Sequence, residues 1–206
     1  MNHVFYSHSI LTVVLIWALA GTSVAGEPSD QIKQTTDKII SILVDPDLKD
    51  PSRSEERSKL VRKAADERFD WQEMARRALA RHWKPRTDEE RREFVPLFAD
   101  LLERTYMKKI QNYSGEAVDY LGDRVEGKYG IVKVKVSTAK NLEIPVLYRV
   151  REKGGVWLIY DVSIEGVSLV NNYRTQFNSI ILKSSYEELV QKLKKKVSKK
   201  RDLGAG

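Results

Sequence analysis

Past its first ten residues the 206-residue chain holds a single histidine, His82, between Arg81 and Trp83, and it has no cysteine. Catalytic thiols, thiolate metal sites and histidine clusters are therefore excluded. His82 reads as a half-exposed residue at a helix end. No G-x-S-x-G elbow, phosphate-binding glycine loop or H-x-x-x-H pair occurs, and Gly154-Gly155 reads as a turn. The carboxylates that stand out are Asp161, which interrupts an otherwise apolar strand, and Glu165 just beyond it. A buried Asp beside a tyrosine, here Tyr148 or Tyr160, is a pair that an acid–base enzyme on a curved sheet uses. The plainer alternative makes Asp161 a cap or an ion-pair partner at the sheet edge, with Arg174 as its candidate cation.

Two kinds of element must position these groups. Ile32, Ile39, Ile40 and Leu43 recur at helical spacing over Pro28 to Val44, and Asp45-Pro46 ends that helix. Ser52 with Glu55 has the spacing of a capping box and predicts a second helix; Asp70 with Glu73 offers a cap for a short third one running into His82-Trp83. Thr87 with Glu90 opens the fourth and longest, whose stripe includes Phe94, Phe98, Leu101, Tyr106 and Tyr113. Pro96 inside it predicts a kink. From Ser114-Gly115 the period becomes alternating. Four strands, Glu116 to Val125, Tyr129 to Thr138, Leu142 to Arg151 and Val156 to Ile164, have connectors short enough for an antiparallel meander. Ser168 then caps a helix carrying Leu169, Val170, Tyr173 and Phe177, and Ser185 with Glu188 caps a last one. Helices precede the sheet, so the class is α+β.

Ile10 to Ala20 is apolar and about eleven residues long, too short to span a bilayer comfortably. With the small residues of Ser23-Val24-Ala25 behind it, the run reads as an export signal over residues 1–25, cut after Ala25, leaving 26–206 as one domain. The segment ahead of it has no Lys or Arg, and a retained membrane anchor is the competing reading. Export to the periplasm removes nucleic acid as a partner. The net charge of +7 then points to an anionic membrane surface or an acidic protein face. The cations cluster in the last helix (Lys192, Lys194, Lys195, Lys196, Lys199, Lys200, Arg201) and around Arg76, Arg77, Arg81, Lys84 and Arg86. For both clusters the alternative is a solvated helix end.

Even-numbered positions on three neighbouring strands are apolar: Val132, Val134 and Val136; Leu142, Ile144, Val146, Tyr148 and Val150; Val156, Leu158, Tyr160, Val162 and Ile164. Alternation of this kind puts one continuous apolar face on the sheet. The odd face is mixed, with Lys133 and Lys135 beside Trp157 and Ile159. Whether the apolar face packs solidly or borders a space stays open.

The run from Trp157 to Phe177 (WLIYDVSIEGVSLVNNYRTQF), with Phe69, Met74, Leu79, Trp83, Arg91, Phe94, Phe98, Leu101, Leu102, Thr105, Tyr106 and Tyr113, resembles the MlaC family, also called the toluene-tolerance phospholipid-transport family. The likeness reaches from about Asp37 to Lys183. Ala80, where a Gly is common, and Pro96 depart from it. The resemblance implies helices packed on a curved four-stranded antiparallel sheet enclosing an apolar cavity, partly nuclear-transport-factor-like. It implies a periplasmic phospholipid carrier with no catalytic residue, no metal and no cofactor beyond its lipid cargo, which maintains outer-membrane lipid asymmetry. The partners it implies are an inner-membrane lipid ABC transporter complex and an outer-membrane lipoprotein-porin complex. On this reading two acyl chains lie between the even face, at Val134, Val136, Ile144, Val146, Tyr148, Leu158, Tyr160 and Val162, and the helices carrying Phe98, Leu101, Tyr173 and Phe177. An acid–base enzyme using Asp161 and a protein-binding adaptor are the alternatives.

Overall fold

Pro28, whose fixed φ suits a first helical turn, starts helix α1 (Pro28–Val44). The computed structural model describes residues 27–139 and 141–198. The expected leader with its cut after Ala25, and Lys199, Lys200 and Arg201, lie outside the described residues. Helices α2 (Ser54–Asp66), α3 (Trp71–Leu79) and α4 (Asp88–Gln111) follow. Strands β1 (Ala117–Glu126), β2 (Tyr129–Ser137), β3 (Glu143–Lys153) and β4 (Val156–Ile164) come next, then β5 (Val167–Ser168), α5 (Leu169–Lys183) and α6 (Tyr186–Ser198). The class is α+β.

Most of the predicted caps form. Asp70 accepts from the Glu73 N–H at 3.0 Å. Thr87 and Glu90 bond reciprocally, at 2.7 and 3.2 Å, and Ser185 accepts from the Glu188 N–H at 3.1 Å. Ser52 is an exception: its N–H and its hydroxyl both donate to Asp50, closing a 3-10 turn, and α2 starts only at Ser54. The 3-10 turn over Pro51–Arg53 takes up the position at which the capping box would have opened the helix. Helix α4 runs unbroken through Pro96, which is exposed, so the Arg92 carbonyl it leaves unpaired belongs to an exposed residue.

The sheet is an antiparallel meander in the order β1-β2-β3-β4-β5, one strand more than expected. The addition is Val167-Ser168, which folds back on β4 through Glu165 and Gly166, both at positive φ. Two irregularities in register matter more. In β1, Tyr120 pairs with Val134 but Asp123 with Val132, so one residue is inserted next to Gly122 (φ +102). Asp123 thereby shares a face with Tyr120, and its carboxylate accepts the Ser29 N–H at 2.9 Å in the first turn of α1. In β4, Asp161 pairs with Arg149 but Ile159 with Val150, so Tyr160 is the inserted residue.

That second bulge corrects the even-numbered face. Residues opposite one another on paired strands share a face. Val134, Val136, Ile144, Val146, Tyr148, Val150 and Val162 keep together as expected. Below the bulge the parity flips. Trp157 and Ile159 join the apolar face, while Leu158 goes to the reverse face opposite Arg151 and Tyr160 packs among the helices.

The apolar side chains form two clusters. One joins α3, α4, α5 and α6 around Met74, Phe94, Phe98, Leu101, Phe177 and Leu189, with Tyr160 at its sheet side. The other lies on the sheet face, where Ile32 of α1 covers Val132, Val134, Val150, Trp157, Ile159 and Val162. Phe69, between α2 and α3, packs against both. It is fixed there because the Ile159 N–H donates to Arg68 O, and the Asp70 N–H to Ile159 O, each at 2.8 Å.

Candidate functional site

The reverse face of the sheet is a web of satisfied charges. Asp161 is buried and accepts from Arg149 at 3.3 Å, from Ser168 Oγ at 2.7 Å and from the Val170 N–H at 3.1 Å. With Ser168 itself accepting from Asn171 N at 3.0 Å, two free N–H groups at the start of α5 are served. The cation on Asp161 is thus Arg149 and not Arg174. Buried Asp70 and Glu73 are held by Arg151 of β3, and Glu73 also by Arg76 and Arg77. Desolvation pushes the Glu73 pKa up, but the bonds from Arg76 and Arg77 outweigh it and hold the carboxyl below its ordinary value. Arg77 stacks over Tyr160, 4.1 Å from the ring centroid. His82, half-buried at the end of its helix turn, contacts Asn178 at 3.0 Å. Asp161 thus spends three of its roughly four lone-pair sites on protein donors.

The opposite face has a different character. Ile32 covers its middle, but Val136, Ile144, Val146, Tyr148 and Ile164 stay only half-buried. Tyr148 defines what lies there. It stands mid-sheet between Val132 and Val162, and burial pushes its pKa up to about 12. Part of its surface nevertheless stays accessible on this apolar face. Tyr120, across β2, is raised by the same burial, opposed by a hydrogen bond with Thr36 of α1.

The twelve residues named from the sequence therefore divide. Val134, Val136, Val146, Tyr148 and Val162 belong to the sheet-face cluster, and half-buried Ile144 pairs with Val136 beside them. Phe98, Leu101, Tyr173 and Phe177 belong to the helical cluster, where Phe98 packs edge-on to Tyr173 and Phe177 at 5.5 and 5.6 Å. The structure does not bring these two groups into one surface. Leu158 and Tyr160 lie on the reverse side. Ile32, read from the sequence only as part of a helical stripe, Trp157, assigned there to the odd face, and Tyr120, which the alternation with Val118 could have signalled, complete the apolar face.

This is the geometry of a binding scaffold: an open apolar sheet face under one helix, backed by pinned charges. A family model described as MlaC protein matches residues 33–195, and the chain belongs to that family. It is similar to the intermembrane phospholipid transport system binding protein MlaC of Haemophilus influenzae, 24% identical over 127 residues, an alignment that spans 59% of each chain. It is also similar to a phospholipid-binding protein from Ralstonia solanacearum solved in complex with a phospholipid. That likeness has a TM-score of 0.76 at 26% identity and covers 84% of this chain and 98% of the other.

Proposed function

We propose that this protein is a periplasmic phospholipid carrier, whose acyl chains lie against Val134, Val136, Ile144, Val146, Tyr148 and Val162 beneath the second half of α1. The observation that carries the reading is the apolar face itself, on which Val136, Ile144, Val146 and Tyr148 stay only half-buried beside Ile32 of α1. Two long acyl chains forfeit about 20 kcal/mol in water at about 0.8 kcal/mol per methylene, so a carrier must cover most of both. The Ralstonia relative's bound phospholipid and the family membership support the same ligand class.

On this reading residues 1–25 direct export and are removed. The carrier exchanges cargo with an inner-membrane transporter complex and an outer-membrane lipoprotein-porin complex. The net charge of +7, with Lys195 and Lys196 in the last turn of α6 in no ion pair among the described residues, suits acidic docking faces.

Organic extraction of freshly purified protein followed by mass spectrometry tests the proposal. Near-stoichiometric phospholipid is expected; its absence from protein prepared without detergent overturns it.

A further inference from the structure

Helix α2 is tied to its two neighbours by different chemistry. It packs chiefly on α1, burying Val61 and Ala64. Toward α4 it faces a cleft of about 610 Å³ lined by Glu55, Lys59, Lys63, Arg104, Met107 and Gln111, among others. Polar links span it. Arg62 on α2 donates to Asp66 at 2.8 Å, reaches Asp100 on α4 at 3.1 Å and pairs with Glu103, while Gln111 donates to Ser58 at 2.6 Å.

The rest of this unit is pinned at one end only. The first half of α1 is fastened to the sheet by Asp123 on Ser29, and by Gln31, whose side chain accepts from Trp157 N at 2.9 Å and donates to Gly155 O at 3.2 Å. Buried Arg68 adds bonds to Thr35, Gln31 and Trp157 O. From Asp37 onward α1 makes no hydrogen bond to the sheet among the described residues; its Ile39, Ile40 and Ile42 are only half-buried, and Leu43 alone in this half is buried. The anchored segment Arg68–Asp70 sits where the two apolar clusters meet.

We propose that the second half of α1 together with α2 is the element that moves to admit and release lipid, and that Arg62 is the positioning residue that holds it shut by bridging α2 to α4. This rests on the lipid-carrier reading for its cargo but not for the latch itself. The bridge is a cation shared by carboxylates at the rim of an open cleft, its side chain 22% exposed, so salt weakens it.

The test compares the full chain with Arg62→Gln and Arg62→Lys. Labelled phospholipid is exchanged between lipid-loaded protein and phosphatidylcholine vesicles, whose neutral surface keeps salt effects to the protein. Arg62→Gln is expected to exchange about tenfold faster, the effect of lowering a barrier by 1.36 kcal/mol, at unchanged equilibrium occupancy. Rising ionic strength should accelerate the wild type but not Arg62→Gln, and Arg62→Lys should restore most of the slow rate. Amide hydrogen exchange on lipid-free protein should show α2 losing protection in Arg62→Gln while α3 and α5 keep theirs. Wild-type exchange and α2 protection in Arg62→Gln would overturn the latch, as would protection lost equally in α3 and α5. A wild type that holds no lipid defeats the carrier reading instead, and the hydrogen-exchange arm still decides the latch.

Discussion

Arg149 Nη1 stands 3.3 Å from the carboxylate of Asp161, which at the same time accepts from Ser168 Oγ and the Val170 N–H. One side chain thus ties β3 to β4 and caps α5. Asp161→Asn keeps one acceptor but turns an amide donor toward groups that are themselves donors. A loss of about 1.5 to 3 kcal/mol is expected from the charge-assisted bonds, read by denaturant unfolding, with extractable lipid at the wild-type level. Lost lipid in a protein of unchanged stability would return Asp161 to a functional role.

Val146 pairs with Val134 on one side and Ile164 on the other, and is only half-buried. A carboxylate forced into a packed core costs several kcal/mol, much of a typical stability of about 5 to 15 kcal/mol. Against an acyl chain, by contrast, it can be hydrated once the lipid is absent. Val146→Glu is therefore expected to give a soluble, cooperatively melting protein without extractable phospholipid. Full lipid occupancy in this variant would remove Val146 from the lining.

Burial raises the Tyr148 phenol from the ordinary value near 10 to about 12. A raised folded-state pKa means that the group's contribution to stability is fully present below about pH 10 and is lost as pH climbs from there toward 12. In an alkaline spectrophotometric titration Tyr148→Phe should delete one late-titrating tyrosine and leave Tyr186, also pushed to about 12. An unaltered late phase would place Tyr148 in open solvent.

Ala80 closes α3 at φ 49 and ψ −119, a conformation costly for any residue with a Cβ. The residue is exposed, so a glycine there loses no packing. Ala80→Gly is expected to stabilise by about 1 kcal/mol and to raise the melting temperature by a few degrees. A lower melting temperature would show that unfolded-state entropy outweighs the strain.

The sequence by itself determined the elements and their class. The bounds of α1 and β4, the caps at Asp70, Thr87, Ser168 and Ser185, and the meander after Gly115 all depend on residues within a few positions of one another, and that information survives in a linear chain. Tertiary structure decided which side chains share a surface. The insertion of Tyr160 exists only relative to β3, and it moves Leu158 away from, and Trp157 and Ile159 onto, the face that period-two counting assigned. Likewise the cation on Asp161 is Arg149, twelve positions earlier, because pairing sets β3 beside β4. The division of Phe98, Leu101, Tyr173 and Phe177 from the sheet residues arose the same way: hydrophobicity says that a side chain leaves water, but only the packing of α3 to α6 on one another says against what it comes to rest.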